Sequence, residues 1–358
     1  MVDIIHAFQE KYEDITLITG DLNLRNNKLP EKVKLARIIP PKRSSTGQRL
    51  FTWLLGFFQI FWHLLRQPST AELFIVSNPP LTVFLPLFFR NKFTLLIFDV
   101  YPDALHEHKL IKPKSLIYKV WSKTNKKVFK QAKRIFTLTE GMKNKVAQYV
   151  ESENILVVPV WTDTSFLSPL KRSKNKFIKQ HGLEDKFVIM YSGNLGLAHN
   201  IEVLVELAQN LNQEFEVVII GEGAKKQKLK KRIQSAGLSN CRLLSWQSME
   251  MFPHSFSAAH LGVVSLGNEV SALSIPSKTF DLMAIGVPVL CIAGEDTEVA
   301  QLIKKYDIGR TFGKDNLRGM LAYMKKLKDD TPFYRKLATN SKGASKEFTS
   351  DNAKSFVI

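Results

Sequence analysis

Cysteine is scarce in this chain, and we see no pattern typical of a secretion signal. Only Cys241 and Cys291 occur among the 358 residues, and both fall in predicted strands. Two isolated cysteines exclude a disulfide scaffold and a cysteine-based zinc site, and they favour a reducing, cytoplasmic setting. The N-terminus shows no basic region followed by an apolar core, so we expect no signal peptide.

Acidic residues are also few. The chain has 33 Asp and Glu against 51 Lys and Arg, which gives a net charge of +18 and a pI near 9.7. A protein this basic is expected to seek polyanions, either nucleic acid or the anionic cytoplasmic face of a membrane. The basic run at 225–232 lacks interleaved aromatic residues and is typical of an exposed helix side, so we expect no nucleic-acid partner.

Two segments favour the membrane as the anionic partner. Residues 51–65 are very apolar but fall short of the roughly 20 residues that span a bilayer. Their length favours a buried helix, with membrane contact as the alternative. Residues 118–134 place Val120, Trp121, Val128 and Phe129 among seven basic residues. This spacing predicts a basic amphipathic helix of the interfacial kind, or else a solvated face over a core.

Short apolar runs alternate with helical stretches along the whole chain. Continuous apolar runs indicate strands that are buried on both faces, and hence parallel sheets covered by helices. Two such blocks in series predict two Rossmann-like α/β domains. The predicted strands are 15–19, 73–77, 94–98, 134–138 and 155–158, followed by 188–191, 216–220, 242–245, 261–265 and 288–292.

The chain begins as though it were already inside the first helix of a Rossmann-like domain, at residues 2–11. The strand and glycine-rich loop expected before that helix are absent from the sequence. We therefore expect the N-terminal domain to lack its first strand, either because the sequence given is truncated or wrongly started or because this variant has lost the strand. Loss of the strand would leave two unpaired sheet edges.

The most informative segment is S-I-P-S-K-T-F-D-L-M-A-I-G-V-P, residues 274–288. Pro276 suits a first helical turn and Gly286 a left-handed C-cap, so we predict a short helix at 279–285. A helix start collects free N–H groups and the positive end of a dipole, which attracts anions. Lys278 and Asp281 could there hold a diphosphate and a neighbouring ribose hydroxyl. They could also form an ordinary exposed pair.

This segment resembles the donor-binding signature of the retaining family 4 glycosyltransferases of GT-B fold, in particular the bacterial surface-polysaccharide subgroup. The resemblance extends over nearly the whole chain in the expected order. The other matching pieces are S-N-P-P-L (77–81), D-V-Y-P-D (99–103), V-V-P-V-W-T-D-T (157–164), Y-S-G-N-L-G-L-A (191–198) and V-I-I-G-E-G (218–223).

The resemblance implies a GT-B architecture, with two Rossmann-like domains facing a cleft. We expect an acceptor-side domain at 1–165 and a nucleotide-sugar domain at 166–335. A C-terminal helix at 336–358 is expected to pack back towards the first domain.

Candidate donor-binding residues come from the ends of strands and from the signature segment. Gly193 and Gly221 each follow a predicted strand, and their lack of a side chain would let phosphates approach the backbone. Asn194 and Glu222, the next residue in each loop, are also candidates. The remaining candidates are Trp246, Ser277, Lys278 and Asp281. The family often has Arg and Lys where we align Asn194 and Asn200, so the cationic role falls to Lys278. The first of two glutamates in the better-known family pattern corresponds to Leu273.

Candidate catalytic residues lie in the N-terminal half. Asp99 follows a predicted strand, and Asp103, His106 and His108 come shortly after it. These side chains could orient an acceptor and remove its proton, since a general base must reach the attacking hydroxyl. An ordinary polar surface loop is the alternative.

The implied reaction is transfer of a hexosyl unit, with retention, from a nucleotide diphosphate sugar to a lipid-linked or glycan acceptor. We expect neither cofactor nor metal, since GT-B enzymes of this family need no D-x-D motif and the chain has none. The protein would lie in the cytoplasm, peripherally on the inner membrane face. Two alternatives remain: a catalytically impaired membrane-associated partner in polysaccharide assembly, and a GT-B nucleotide-sugar epimerase, against which the P-S-K segment argues.

Overall fold

The chain divides into two compact units. The computed structural model describes residues 2–20, 22, 28–40, 46–107, 111–197, 199–267 and 273–357. Unit 1 comprises residues 1–159 and 351–358, and unit 2 comprises residues 160–350. The division thus falls six residues earlier than the sequence suggested. Of the expected C-terminal segment 336–358, only the last eight residues belong to unit 1.

Unit 1 alternates strands with helices. Its elements are α1 (Val2–Gln9), β1 (Ile15–Thr19), β2 (Val33–Arg37), α2 (Thr46–Leu64), β3 (Leu73–Val76), a 3₁₀ segment (Pro80–Phe88), β4 (Phe93–Ile97), α3 (Asp103–Glu107), α4 (Leu116–Gln131), β5 (Arg134–Thr137), α5 (Glu140–Val146) and β6 (Ile155–Val157). The C-terminal residues complete its core, because the Phe356 ring packs 5.8 Å from Phe74 and 4.7 Å from Phe136.

The strands of unit 1 form two separate parallel sheets, β1-β2 and β3-β4-β5-β6. Within the described ranges, no strand joins β1 to β3. Helix α1 is the first described element and packs against the second sheet, with the Phe8 and Phe74 ring centroids 5.1 Å apart. The N-terminal half therefore has parallel α/β layering without a single continuous sheet.

Helix α2 departs from the favoured prediction of a buried helix at 51–65. Thr52 and Leu64 are buried, but Phe51, Phe58 and Trp62 are more than half exposed. The prediction was wrong because the apolar composition continues around to the outer side of the helix. None of the described helices is both long and apolar enough to cross a membrane.

Unit 2 contains one six-stranded parallel sheet of order β12-β11-β10-β7-β8-β9. Its first strand, β7, is central, and helices cover both faces over two apolar clusters. The strands are β7 (Phe187–Ser192), β8 (Phe215–Ile220), β9 (Cys241–Leu244), β10 (Leu261–Ser265), β11 (Val289–Ile292) and β12 (Gly309–Phe312). The helices are α6 (Lys176–His181), α7 (Glu202–Gln209), α8 (Lys226–Ser235), α9 (Phe252–Ala258), α10 (Lys278–Ile285), α11 (Glu298–Tyr306), α12 (Leu317–Asp329) and α13 (Thr331–Ala344).

All ten predicted strands are present, with bounds that shift by one residue at most. Cys241 and Cys291 are buried and free, in strands β9 and β11. The predicted helix at 279–285 is α10, which begins at Lys278 and ends at Ile285, with Gly286 as its left-handed C-cap at φ of 78°. Strands β2 and β12 were not predicted, because charged residues interrupt their apolar runs.

Candidate functional site

Three loops of unit 2 meet beyond the carboxyl ends of its central strands. The chain order of the sheet reverses between β10 and β7, and open α/β sheets bind ligands at such a switch point. The loop after β7 pairs with the loop after β8, because Gly193 N–H donates to Ile220 O and Leu195 N–H to Glu222 O. The sequence signature around Lys278 follows β10 and begins α10 at the same edge.

Glycine is required where the first two loops touch. Gly221 has φ of 153°, and a Cβ atom there would collide with the carbonyl oxygen of Gly193. A Cβ atom on Gly193 would in turn collide with the Lys278 ammonium group. The two glycines therefore let the loops close on each other while leaving the lysine next to bare backbone.

Lys278, the first residue of α10, is the central cation of this edge. Its Nζ lies 3.7 Å from the centroid of the buried Tyr191 ring, and the Tyr191 hydroxyl donates to Asn194 O at 2.8 Å. Burial lowers the pKa of Lys278 to about 7, against a smaller opposite effect of the Asp281 carboxylate. The ammonium is thus held against an aromatic face and is easily stabilised by an added anion.

Asp281 lies one turn into α10 and is buried. Its Oδ1 accepts a hydrogen bond of 2.6 Å from the Thr162 hydroxyl, and Thr162 N–H donates to Phe348 O. One carboxylate oxygen therefore fastens the segment that begins unit 2 to the helix. Its predicted contact with a ribose hydroxyl stays a prediction. Ser277 is exposed and precedes the helix without capping it through its side chain.

Two further donor candidates lie at the β8 and β9 ends of this edge. The Glu222 carboxylate accepts from Lys226 Nζ at 2.5 Å, and that ammonium also donates to the Ser245 hydroxyl at 2.9 Å. This hydrogen bond is the main reason that the pKa of Glu222 is lowered. Trp246 follows β9 and is half exposed. Glu222 is therefore engaged by a lysine, whereas the Trp246 ring is open to a flat ligand.

His199 was not among the predicted site residues, although it lies beside Asn200. Its Nδ1–H donates to Ser265 O at 2.8 Å, which leaves Nε2 as an acceptor in the neutral ring. Burial chiefly lowers the pKa of His199, and the Lys278 and Lys225 charges add to this effect. Only its place directly after the glycine loop could have suggested it.

Tyr191 and Thr162 were also missed as site residues. Tyr191 belongs to the segment that resembles the glycine loop, but its position as the ring against Lys278 is visible only in the folded structure. Thr162 is 119 residues from its partner Asp281, and no spacing rule links them.

The catalytic candidates in unit 1 have different surroundings. The buried Asp103 accepts from the Tyr118 hydroxyl at 2.9 Å and from the Tyr149 hydroxyl at 2.5 Å, one on each carboxylate oxygen. Lys145 Nζ lies 4.0 Å away. Because both oxygens are occupied, these contacts favour a structural role for Asp103 over the predicted proton removal.

Asp99 and His106 are exposed. Asp99 comes two residues after β4, as predicted. The His106 Nδ1 lies 3.3 Å from Ile111 O, and its ring meets the Tyr118 ring edge-on. His108 lies outside the described residues. In the part of the chain that the structure describes, no three His, Cys, Asp or Glu side chains are grouped as metal ligands.

The chain is similar in sequence to known glycosyltransferases. Residues 173–344 match the family model described as "Glycosyl transferases group 1". The chain is 24% identical over 277 residues to "Probable glycosyltransferase WbjE" of Pseudomonas aeruginosa, covering 75% of this chain and 69% of that protein. It is 28% identical over 176 residues to "Putative colanic acid biosynthesis glycosyl transferase WcaI" of Escherichia coli, covering 48% and 43%.

Solved structures show the same fold. HepE of Anabaena, crystallised with UDP and glucose, superposes with a TM-score of 0.74 at 14% identity, over 99% of this chain and 93% of that one. WaaG, a glycosyltransferase involved in lipopolysaccharide biosynthesis, superposes with a TM-score of 0.69 at 13% identity, over 99% and 94%. The expected GT-B fold is confirmed.

Proposed function

We propose, from the match of residues 173–344 to the model of the glycosyl transferases group 1 family, that this protein transfers a hexosyl unit from a nucleotide diphosphate sugar. The acceptor we propose is a lipid-linked glycan, and the product retains the anomeric configuration of the donor. The observation that carries the proposal is the Lys278 ammonium against Tyr191 and Gly193, at the switch point of the unit 2 sheet.

Lys278 and the start of α10 would neutralise the departing diphosphate. The negative charge on that group grows as the glycosidic bond to the donor breaks, so a fixed cation and a helix dipole stabilise the transition state more than the ground state. The backbone at Gly193 and Asn194 would approach the phosphates where a side chain is absent. Asn194 N–H is the candidate donor, because Gly193 N–H already donates to Ile220 O. Ser277 and Asp281 would orient the ribose, and Trp246 the base.

The reaction then depends on positioning and charge. We propose that Lys278 takes the part that a divalent cation has in other transferases, so that the enzyme needs no added metal. Full activity in the presence of a chelator would support this, and restoration of lost activity by Mg²⁺ or Mn²⁺ would contradict it. In unit 1 we assign proton removal to Asp99 or His106, because Asp103 is enclosed by two tyrosines.

We propose cell-surface polysaccharide synthesis as the process, with the protein lying peripherally on the inner face of the membrane. The relative WcaI is described as acting in colanic acid biosynthesis. The net charge of +18 suits an anionic membrane surface, and lipid-linked acceptors are presented there.

A catalytically impaired partner protein is the second candidate. Two observations favour it: Leu273 replaces an acidic residue of the better-known family pattern, and the unit 1 strands form two sheets rather than one. Such a protein could keep its nucleotide site and still transfer no sugar.

A thermal-shift screen with nucleoside diphosphates tests the proposal. We expect at least one, tried first with UDP, to raise the Tm of the wild type and to have no effect on Lys278→Ala. The exposed Lys230, in α8, gives a matched control, because Lys230→Ala removes a charge outside the site. No shift with any nucleotide would overturn donor binding. A shift without sugar release from any donor would favour the impaired partner.

A further inference from the structure

Six large apolar residues are exposed on one side of helix α2 and directly after its end, and we call them the α2 face: Leu50, Phe51, Leu54, Phe58, Trp62 and Leu65. Each is between 50% and 64% exposed. Their spacing of mostly three or four residues places them along one side of the helix. A helix on the surface of a soluble domain normally turns polar residues outwards, so an apolar strip of this size indicates an interaction surface.

The opposite side of α2 packs against unit 1. Thr52 is buried, and the Gln59 side chain accepts a hydrogen bond of 2.8 Å from Ile39 N–H. The helix is therefore fixed with Phe51, Phe58 and Trp62 pointing away from the core. The α2 face belongs to the folded unit and needs no unfolding to be presented.

The surroundings of the α2 face are basic. Between residues 32 and 98 the only carboxylate is Glu72, which bonds the Tyr12 hydroxyl at 2.6 Å and Lys133 Nζ at 3.4 Å. The Arg66 guanidinium lies 5.2 Å from the Trp62 ring centroid, at the end of the α2 face. An aromatic ring with an adjoining arginine is typical of the boundary between apolar chains and charged headgroups.

The 3₁₀ segment links α2 to the basic helix α4. Phe88 is exposed and packs 5.7 Å from Phe61 of α2, while Phe84 packs 5.8 Å from Trp121 of α4. The stretch 108–139 around α4 has ten Lys and Arg residues and no Asp or Glu. Its first turns also expose Leu116, Ile117 and Val120. Apolar and cationic groups thus adjoin in this part of unit 1.

We propose that the α2 face inserts into the headgroup region of an anionic bilayer, with α2 lying in the plane of the membrane. This proposal rests on the peripheral membrane location proposed above and names the surface that would bind the membrane. It does not depend on donor binding at Lys278. A second copy of the chain is a poorer occupant, because a symmetric pair would bring two basic surfaces together. An anionic lipid surface satisfies both the apolar residues and the surrounding charge.

Sedimentation with vesicles of phosphatidylglycerol and phosphatidylcholine tests the α2 face. We expect the wild type to bind, more weakly as salt is added, and Phe58→Ser/Trp62→Ser to bind at least tenfold more weakly. Met249→Ser is the matched control, since it removes an exposed apolar residue from unit 2 and should leave binding unchanged. The double variant should keep its Tm and its UDP-induced shift, so that loss of membrane binding stays distinct from loss of donor binding.

Trp62 also provides a direct readout of insertion. Brominated lipids should quench tryptophan fluorescence in the wild type and quench Trp62→Phe markedly less. Unchanged vesicle binding by the double variant would overturn the proposal. The proposal would also be overturned if the wild type were a dimer and the double variant a monomer that still binds vesicles.

Discussion

The two units share parallel α/β layering but use their charged residues differently. In unit 2 a lysine lies partly buried against an aromatic ring at the carboxyl edge of one continuous sheet. In unit 1 the buried carboxylate of Asp103 is enclosed by tyrosine hydroxyls, and the lysines of α4 are exposed. On the same layered α/β architecture we therefore propose an anion site in unit 2 and a membrane-binding surface in unit 1.

The largest effect should come from a side chain that disrupts the close contact between the two glycine loops of unit 2. Gly221→Ala adds a Cβ atom against Gly193 O at φ of 153°, which we expect to cost about 3 kcal/mol and to abolish nucleotide binding. Gly182→Ala is the control, because its φ is 59° but the added atom meets nothing within 4 Å. It should cost about 1 kcal/mol. Urea unfolding measures both, and equal costs would refute the role of the loop contact.

A smaller effect is expected from the hydrogen bond that fastens Asp281. Thr162→Val leaves one oxygen of a buried carboxylate without its donor, which should destabilise unit 2 by about 1–3 kcal/mol. Thr162→Ser keeps the hydroxyl and should recover most of the loss. If both variants unfold at the same urea concentration, the bond does not hold the site helix in place.

The Asp103 carboxylate of unit 1 allows a similar test of whether a buried acidic side chain has a structural role. Tyr149→Phe removes a donor to buried Asp103 and should cost about 1–2 kcal/mol, without changing the pH profile of transfer. Tyr12→Phe, which removes an exposed bond to Glu72, should cost less. If the pH profile of transfer shifted in Tyr149→Phe, the result would instead support Asp103 as the group that removes the acceptor proton.

The sequence predicted the parts of the fold that depend on local pattern. Continuous apolar runs located ten strands, and the proline–glycine signals located α10. Strands β2 and β12 were not predicted from apolar runs, because Lys34, Arg37 and Arg310 interrupt the apolar pattern. The burial of α2 was predicted wrongly, because apolar composition does not distinguish the inner from the outer side of a helix. Contacts between residues that are far apart in the sequence could not be predicted from local patterns. Tyr149 donates to Asp103 from 46 residues away, and the ring against Lys278 of α10 is Tyr191 of strand β7.

The smallest expected effect is a pH dependence of nucleotide affinity. The free enzyme holds the pKa of Lys278 at about 7, and a bound diphosphate should raise it towards its ordinary value. Binding then takes up a proton above pH 7, so UDP affinity should fall about fivefold from pH 7 to pH 8. The lowered pKa of His199 keeps that ring neutral over this range. Lys278→Gln should show no such slope.

Calorimetric titration of UDP into the wild type and Lys278→Gln at pH 7.5, in two buffers of different ionisation enthalpy, tests the account most directly. We predict proton uptake on binding to the wild type, and binding to the variant at least 100-fold weaker without proton uptake. Equal affinity of the two proteins for UDP would contradict the assignment of Lys278 as the diphosphate-binding cation.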